Sequence, residues 1–525
     1  MTSLEKKIDK IFSCWQKDLC PGGQVVVRKK DEIIYNKNFG YANLEHLIPI
    51  KDETVFHVAS VSKQVAVMCV LLLQEDGKLS IDDDVRDYVA EYIAFDEPVT
   101  VRQMINNVSG IKDQWELLGL SGVRIVDTIT QKDALSLISK QKKLNFAPQT
   151  KWLYSNSNFT LLAEIVEKTS GKTLNEFATE RIFKPLGMKK TFFKDNYWKV
   201  IPNKANSYYD VGDGSFIYSV LNYGTYGATS LNTTANDFLK WMGNFKKPTV
   251  CSPDTIKIMS DAPKLKDGKE SSYAGGLFVG EYKGHKYIEH GGADAAYRSA
   301  TIRFTEDDVD IVLFSNTQNL LMKDAAFAVA DAVFGYEKEE SKKEEKPEVY
   351  SDEVNLDEVE GYYFPKSQET IMAFKIVVKD GLPHMQNPYG LAPLVHISGN
   401  HYKIEQLNLE IYLGKESALK TKEKLIPLEK IKPYQPFDST HYTGRYQSEE
   451  LDTFYDVIEE DGILYTSHSR NGQHVLYQVE ENKFLTNVPF TFTVEFVKEE
   501  GKIKGLIFTG NRAQNVEFVK VASIS

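Results

Sequence analysis

Cysteine is scarce. Cys14, Cys20, Cys69 and Cys251 are the only ones in 525 residues, and no two stand in a Cys-x-x-Cys pair, which removes a disulfide framework and the common zinc spacings from consideration. Long apolar runs are missing as well. The longest, Val65 to Leu73, falls far short of the roughly 20 residues a membrane-crossing helix needs. Nor is there a basic excess: the net charge of −11 argues against nucleic acid or an anionic membrane as partner. The chain has no His-Glu-x-x-His, no Walker loop and no Gly-x-Ser-x-Gly, so zinc, nucleotide and α/β-hydrolase mechanisms have nothing to rest on. No metal and no organic cofactor is expected. The opening stretch "MTSLEKKIDKIFSCWQKDLCPGG" is charged throughout and has no apolar h-region, so a secretory signal is not expected and a cytoplasmic location with reduced thiols is.

What is present suits folded domains, with 42% hydrophobic residues and 12% aromatics. A chain of this length implies more than one of them. Leu4, Ile8, Ile11, Phe12, Trp15 and Leu19 recur at helical spacing and predict a docked amphipathic helix. A hairpin follows, "QVVVRK" then "EIIYNKNFGYAN"; residues 99–200 read mainly as helices; residues 273–317 return to strands; "MKDAAFAVADAVFG" closes the region as a helix. Strands at both ends with helices between them predict one sheet built from both termini of a large α/β (α+β) domain. Residues 337–349 are almost all charged, and 336–350 reads as a linker. Beyond them the sequence repeats itself: Gly361 and Tyr363 match Gly444 and Tyr446, Gly381 matches Gly462, and "GNHYKIE" matches "ENKFLTN". The expected organisation is therefore a large domain over 1–335, the linker, and two small antiparallel β-barrels over 351–435 and 436–525.

One short stretch carries chemistry. "FHVASVSKQVAVMCVLLLQEDGK" places Ser60 and Lys63 three residues apart where an apolar helix begins, with Val65, Met68, Cys69, Leu72 and Leu73 as its buried stripe and Gly77 as its stop. An ammonium near the buried end of a helix is costly unless paired, so a lysine beside a serine suits activation of a nucleophile. Ser-x-x-Lys recurs at Ser3, Ser109, Ser139 and Ser417, and only Ser60 opens a strongly apolar helix. Two further motifs follow in order: Tyr154-Ser155-Asn156 at the start of another apolar helix, and His290-Gly291-Gly292 at the end of a strand. With "GYANLE", "NNVSGI", "PLGM" and "GATSLNTTANDFLKW", these motifs resemble the serine β-lactamase and DD-peptidase superfamily, closest to its class C, alkaline D-peptidase and D-aminopeptidase branch. The resemblance spans residues 20–335, and the whole layout looks like the three-domain D-stereospecific aminopeptidases.

The resemblance implies that the sheet of the large domain is antiparallel and flanked by helices. It also implies an acyl-enzyme on Ser60. Tyr154 would serve as base, kept partly ionised by the nearby positive charge of Lys63 and His290, and Asn156 would bond Lys63 or the substrate amide. The formal proton acceptor is left open between Lys63 and Tyr154. The backbone N–H groups of Ser60 and Ala293 would hold the oxyanion, and Gly291 and Gly292 would leave room for substrate along the strand edge. Relatives that bind a C-terminal carboxylate usually carry a threonine where this chain has Gly291, so carboxypeptidase and strong β-lactamase activities recede. The expected substrates are short D-amino-acid peptides or amides. The alternatives are a promiscuous esterase, a weak penicillin-binding protein or β-lactamase, or a non-catalytic sensor that keeps the pocket. In the similar aminopeptidases a loop of the last barrel reaches the active-site mouth; residues 467–474, "SHSRNGQH", are the counterpart or else a plain surface hairpin. Oligomeric state is not written in the sequence.

Overall fold

The computed structural model describes residues 2–211, 214–336, 356–365, 374–387, 390–404, 409–414, 416–420, 425–431 and 441–522. All but the first residue of the expected 336–350 linker lies outside them. The chain divides into two compact units, one made of Met1–Ile111, Thr128–Asp210 and Phe216–Glu339, the other of Lys112–Asp127, Val211–Ser215 and the described residues beyond 340.

The first unit is built on a seven-stranded sheet in the spatial order Tyr273–Ala274, Leu277–Tyr282, His285–Asp294, Tyr297–Phe304, Val309–Ser315, Gly23–Lys29, Glu32–Phe39. Every pairing is antiparallel. Its middle joins the two ends of the unit, with Val26 opposite Val312 and Gly23 opposite Ser315. Alternation along the strands serves two cores. Val26, Val312 and Phe314 face the helices Ser62–Glu75, Asn156–Ser170 and Ala235–Lys246. Val25, Val27 and Leu313 face Ser3–Ile11 and Met322–Phe334.

The first helix is shorter than its apolar spacing predicts. A capping box between Thr2 and Glu5 starts it and it ends at Ile11, with a 3-10 turn over Ser13–Trp15 that stacks the buried Phe12 and Trp15 rings 5.0 Å apart. Leu19 has a φ of +52° and is 56% exposed. A left-handed residue cannot continue a helix, so Leu19 leaves the expected stripe.

The second unit holds two nine-stranded barrel-like sheets with the same order, fourth-third-second-first-ninth-eighth-seventh-sixth-fifth, so that in each the first strand pairs with the last. The sequence repeat has physical causes. Tyr363 and Tyr446 are buried, and each donates its hydroxyl to a carbonyl four residues back, Val359 at 2.8 Å and Tyr442 at 2.6 Å. Gly361 and Gly444 sit at φ +150° and +146° with Lys430 and Lys520 lying where a Cβ would be. Asp380-Gly381 and Asp461-Gly462 are positive-φ hairpin turns.

The segment Lys112–Asp127 belongs to this unit. Its helix, Gln114–Leu120, is tied to the second sheet by Tyr455, which donates to the Leu120 carbonyl at 2.9 Å, and by Asn471, whose Nδ2 donates to the Gly119 carbonyl at 2.9 Å. Residues 467–474 thus form a turn anchored on this segment, with Arg470 also pairing with Asp127.

Candidate active site

Ser60 does not stand on the α-helix itself. It lies in a 3-10 turn, Ala59–Val61, and the helix begins at Ser62. Ala59 holds the left-handed conformation at φ +48°, a strained geometry for an alanine. The turn is fixed by Ser62, whose Oγ donates to the Ala59 carbonyl at 2.5 Å and accepts from the Leu231 N–H at 2.9 Å. The helix is buried all round from Ser62 to Leu73 rather than along one stripe, and Gly77 follows it at φ +68°.

Lys63 is fully buried. Its Nζ lies 3.0 Å from Ser60 Oγ, 2.8 Å from Asn156 Oδ1 and 2.7 Å from the Ala228 carbonyl. Asn156 Oδ1 and the carbonyl can only accept, so Nζ donates to both while it lies within hydrogen-bond distance of Ser60. The same nitrogen stands 4.9 Å from the Tyr154 ring centre and 5.3 Å from that of Phe159.

Tyr154 precedes the Asn156–Ser170 helix on a stretch held by Asn107. The Leu153 N–H donates to the Asn107 carbonyl at 3.0 Å, and Asn107 Oδ1 accepts from the Ser155 N–H at 3.1 Å and from Asn158 Nδ2 at 2.9 Å. Asn107 is buried at φ +55°, a conformation asparagine tolerates better than most residues.

His290 is buried, its ring 6.1 Å from that of Tyr154. Nδ1 is 2.6 Å from the Gly291 carbonyl and therefore carries a hydrogen and donates. Nε2 is 3.1 Å from the hydroxyl of Tyr273. Burial pushes the Tyr273 phenol well above its ordinary range, so it keeps its hydrogen. Burial, and then the charge of Lys63, push His290 down to about 3. The ring is thus neutral, donating through Nδ1 and accepting through Nε2. This corrects the expectation that His290 adds positive charge: Lys63 supplies it alone among the grouped residues.

The two glycines differ, and only Gly292 departs from the reason expected. A Cβ on Gly292 would stand 2.4 Å from the Val58 carbonyl oxygen and 2.3 Å from Ser299 Oγ, so Gly292 makes room for the turn that carries Ser60 and not for substrate. A Cβ on Gly291 would meet only the Ser299 carbonyl oxygen, at 3.5 Å. Ala293 follows on the same strand. From His290 onward this strand pairs, among the described residues, only with residues 297–301, since its pairing with Leu277–Tyr282 stops at Phe278 opposite Glu289.

Ser60, Lys63, Tyr154, Asn156 and His290 are therefore brought together from segments more than 200 residues apart. Three contributors escape the sequence reading: Asn107, Tyr273 and the Ala228 carbonyl. Asn107 and Ala228 lie inside stretches noted for other reasons, "NNVSGI" and "GATSLN"; Tyr273 has no local signal. Among the described residues no group of three or more His, Cys, Asp or Glu is placed to hold a metal ion, and no helix is long and apolar enough to cross a membrane.

Known proteins are similar to this chain in sequence and in fold. The D-aminopeptidase of Brucella anthropi is 24% identical over 95% of this chain and 95% of its own, and that of Gluconobacter oxydans (strain 621H) is 28% identical over 61% of each. Among solved structures, the octameric penicillin-binding protein homologue from Pyrococcus abyssi superposes with a TM-score of 0.58 at 21% identity, covering 81% of this chain and 99% of its own. The D-amino acid amidase from Ochrobactrum anthropi SV3 superposes with a TM-score of 0.53 at 20% identity, covering 64% and 99%. The Beta-lactamase family model matches residues 8–334, most of the chain, and with the fold and the grouped side chains it establishes that the protein belongs to the Beta-lactamase family.

Proposed function

We propose that the protein is a serine hydrolase that forms an acyl-enzyme on Ser60 and cleaves short D-amino-acid peptides or amides. The observation that carries this reading is the contact of the Lys63 amine with Ser60: Nζ, bonded to Asn156 Oδ1 and the Ala228 carbonyl, lies 3.0 Å from Ser60 Oγ. A serine hydroxyl reacts only when its proton has somewhere to go. Lys63 orients and polarises Ser60, and its charge near the Tyr154 ring favours the phenolate that general-base catalysis requires. His290, neutral and tied at both nitrogens, acts through position and not charge.

Attack gives a tetrahedral oxyanion, for which the N–H groups of Ser60 and Ala293 are the proposed donors. Collapse expels the amine, which takes the proton held by Tyr154, and water then repeats the sequence to free the acid. The unpaired edge from His290 and the open space at Gly291 suit a substrate laid along the strand. The D-aminopeptidase relatives, one matching along nearly the whole chain, support the choice of a D-amino-acid amide. The four free cysteines suit a cytoplasmic setting, and we read the chain as a domain within 1–335, less the Lys112–Asp127 and Val211–Ser215 segments that join the second unit, followed by two barrels divided near 435.

The test is a panel of p-nitroanilides of D- and L-alanine, a D-Ala-D-Ala peptide, nitrocefin and a short p-nitrophenyl ester, run on wild type and Ser60→Ala. Turnover of the D-anilide that vanishes in Ser60→Ala is expected. Preference for the L-anilide would overturn the stereochemistry, and no loss in Ser60→Ala would overturn the mechanism.

A further inference from the structure

Three segments that carry the site converge on one carboxylate outside the set of residues assigned above. His57 lies on the short strand Phe56–His57, three residues before Ser60, and is 2% exposed. Its Nε2 is 2.9 Å from Asp294 Oδ2. Asp294 follows Ala293 at the end of the His290 strand. The same Oδ2 accepts from Thr229 Oγ1, and Thr229 is the neighbour of Ala228, whose carbonyl holds Lys63. One oxygen therefore gathers the segments of the nucleophile, of the lysine's acceptor and of the Ala293 N–H.

The chemistry of the contact fixes its polarity. A carboxylate only accepts, so His57 donates from Nε2 and Thr229 from its hydroxyl. The His57 ring is held from its other side by the Tyr297 ring, 5.6 Å away, and the Tyr297 hydroxyl donates to the Ala205 carbonyl at 2.5 Å. A second link runs parallel: Ser299 Oγ donates to the Val58 carbonyl at 2.9 Å. The first link ties the segment before the strained turn at Ala59 to the strand ending in Ala293 and Asp294, and the second ties it to the adjacent strand, where Ser299 stands opposite Gly292. A turn stored in a left-handed alanine persists only if its surroundings over-determine it.

We propose that Asp294, with His57 and Thr229 as its donors, is a positioning residue that sets the distance between the Ser60 and Ala293 N–H groups and so tunes the site for the tetrahedral intermediate. This rests on the reading of Ser60 as nucleophile given above. It predicts that loosening the hub costs transition-state stabilisation while ground-state binding is kept.

The experiment compares Asp294→Asn, Thr229→Val and Thr229→Ser with wild type and Ser60→Ala. The readouts are kcat and KM on a short p-nitrophenyl ester and the Kd of phenylboronic acid, a probe that becomes tetrahedral on a serine. Asp294→Asn and Thr229→Val are expected to lower kcat about 10- to 100-fold with KM within about threefold, and to raise the boronate Kd in step. Thr229→Ser recovers most of the rate. A variant combining Asp294→Asn with Thr229→Val is expected to be no worse than Asp294→Asn alone, because the groups act as one unit. Wild-type kcat and boronate affinity in Asp294→Asn, or a loss confined to KM, would overturn the proposal. If Asp294→Asn fails to fold, the Thr229 pair decides in the same terms. Hydrolysis surviving in Ser60→Ala would instead remove the nucleophile reading and this inference with it, whereas Ser60-dependent turnover indifferent to Asp294 and Thr229 removes this inference alone.

Discussion

Tyr273 donates its hydroxyl to Nε2 of His290 across 3.1 Å, and that one contact fixes which face of the imidazole is basic and leaves it no free lone pair. A histidine in a hydrolase site invites the role of general base. Here both ring nitrogens are engaged and the ring is buried beside an ammonium. What the imidazole does is hold the strand that bears Gly291, Gly292 and Ala293 against the aromatic wall of Tyr154, Tyr273 and Phe278.

The depressed basicity of His290 has a thermodynamic consequence. Its folded value is about 3, against roughly 6.5 in an unfolded chain. Between those values the unfolded state takes up a proton that the native state refuses, so stability is fully present above the higher value and is lost as pH falls toward the lower, on the order of 1.4 kcal/mol per unit. Other carboxylates titrate in this window, so the check is a difference: urea unfolding of wild type and His290→Gln at pH 7 and pH 4.5. The wild type is expected to lose stability relative to the variant as pH falls. A pH-independent difference would contradict the neutral assignment.

Lys63 separates activity from stability. In Lys63→Met the Asn156 and Ala228 oxygens lose a donor, at about 1–3 kcal/mol for each group left unpaired, while the cost of burying an ammonium disappears. The two largely offset. The expected result is a change in unfolding free energy within about 2 kcal/mol alongside a fall in kcat/KM of about 10³-fold or more, measured by urea unfolding and ester hydrolysis on the same preparation. A comparable loss in both would make Lys63 a structural residue.

The adjacent glycines predict opposite outcomes. Gly292→Ala forces a Cβ to within 2.4 Å of the Val58 carbonyl oxygen and 2.3 Å of Ser299 Oγ, a clash with backbone that costs on the order of 1–3 kcal/mol or more. Gly291→Ala meets its nearest atom at 3.5 Å and leaves the fold alone. Calorimetry should show a lowered Tm for the first and not for the second, and Gly291→Ala should raise KM for the D-anilide by filling space beside the strand edge.

Which parts of this were legible beforehand follows from sequence distance. Ser60 and Lys63 are three apart on one turn, and the Tyr154 and His290 motifs are contiguous, so residue identity and spacing reveal them. The strand alternation of Val25, Val26 and Val27 likewise writes the two-sided sheet into the local pattern. Tyr273 reaches His290 from another strand, Thr229 and His57 meet Asp294 across 65 and 237 positions, and the Ala228 acceptor is a backbone oxygen with no side-chain signature. None of these has a local periodicity to read. The assumed charge on His290 failed for the same reason, since protonation is set by burial and by partners that only the fold assembles. Lys112–Asp127 is similar: it lies in the stretch read as mainly helical, but nothing local says that its helix belongs with the last β-sheet.

That helix carries the clearest test of the second unit. Glu116 is 6% exposed, and its Oε2 accepts from the N–H groups of Arg512 at 2.8 Å and Ala513 at 2.7 Å. Burial, reinforced by the charge of Asp113, raises its carboxyl to about 7 despite those two bonds. In the unfolded chain the group releases its proton near 4.3. From there up to about 7 the native state keeps a proton that the unfolded state has shed, so stability is full at the acid end and falls as pH rises. Glu116→Gln keeps an acceptor for both N–H groups and has nothing to ionise. Calorimetry at pH 5 and pH 8 is expected to show the variant gaining on wild type by on the order of 3 kcal/mol across that interval. Hydrogen exchange over residues 510–515 should show protection in the variant that no longer declines with pH beyond the chemical rate. Parallel curves for the two proteins would mean that Glu116 is already ionised in the native state and that the two N–H bonds outweigh its burial.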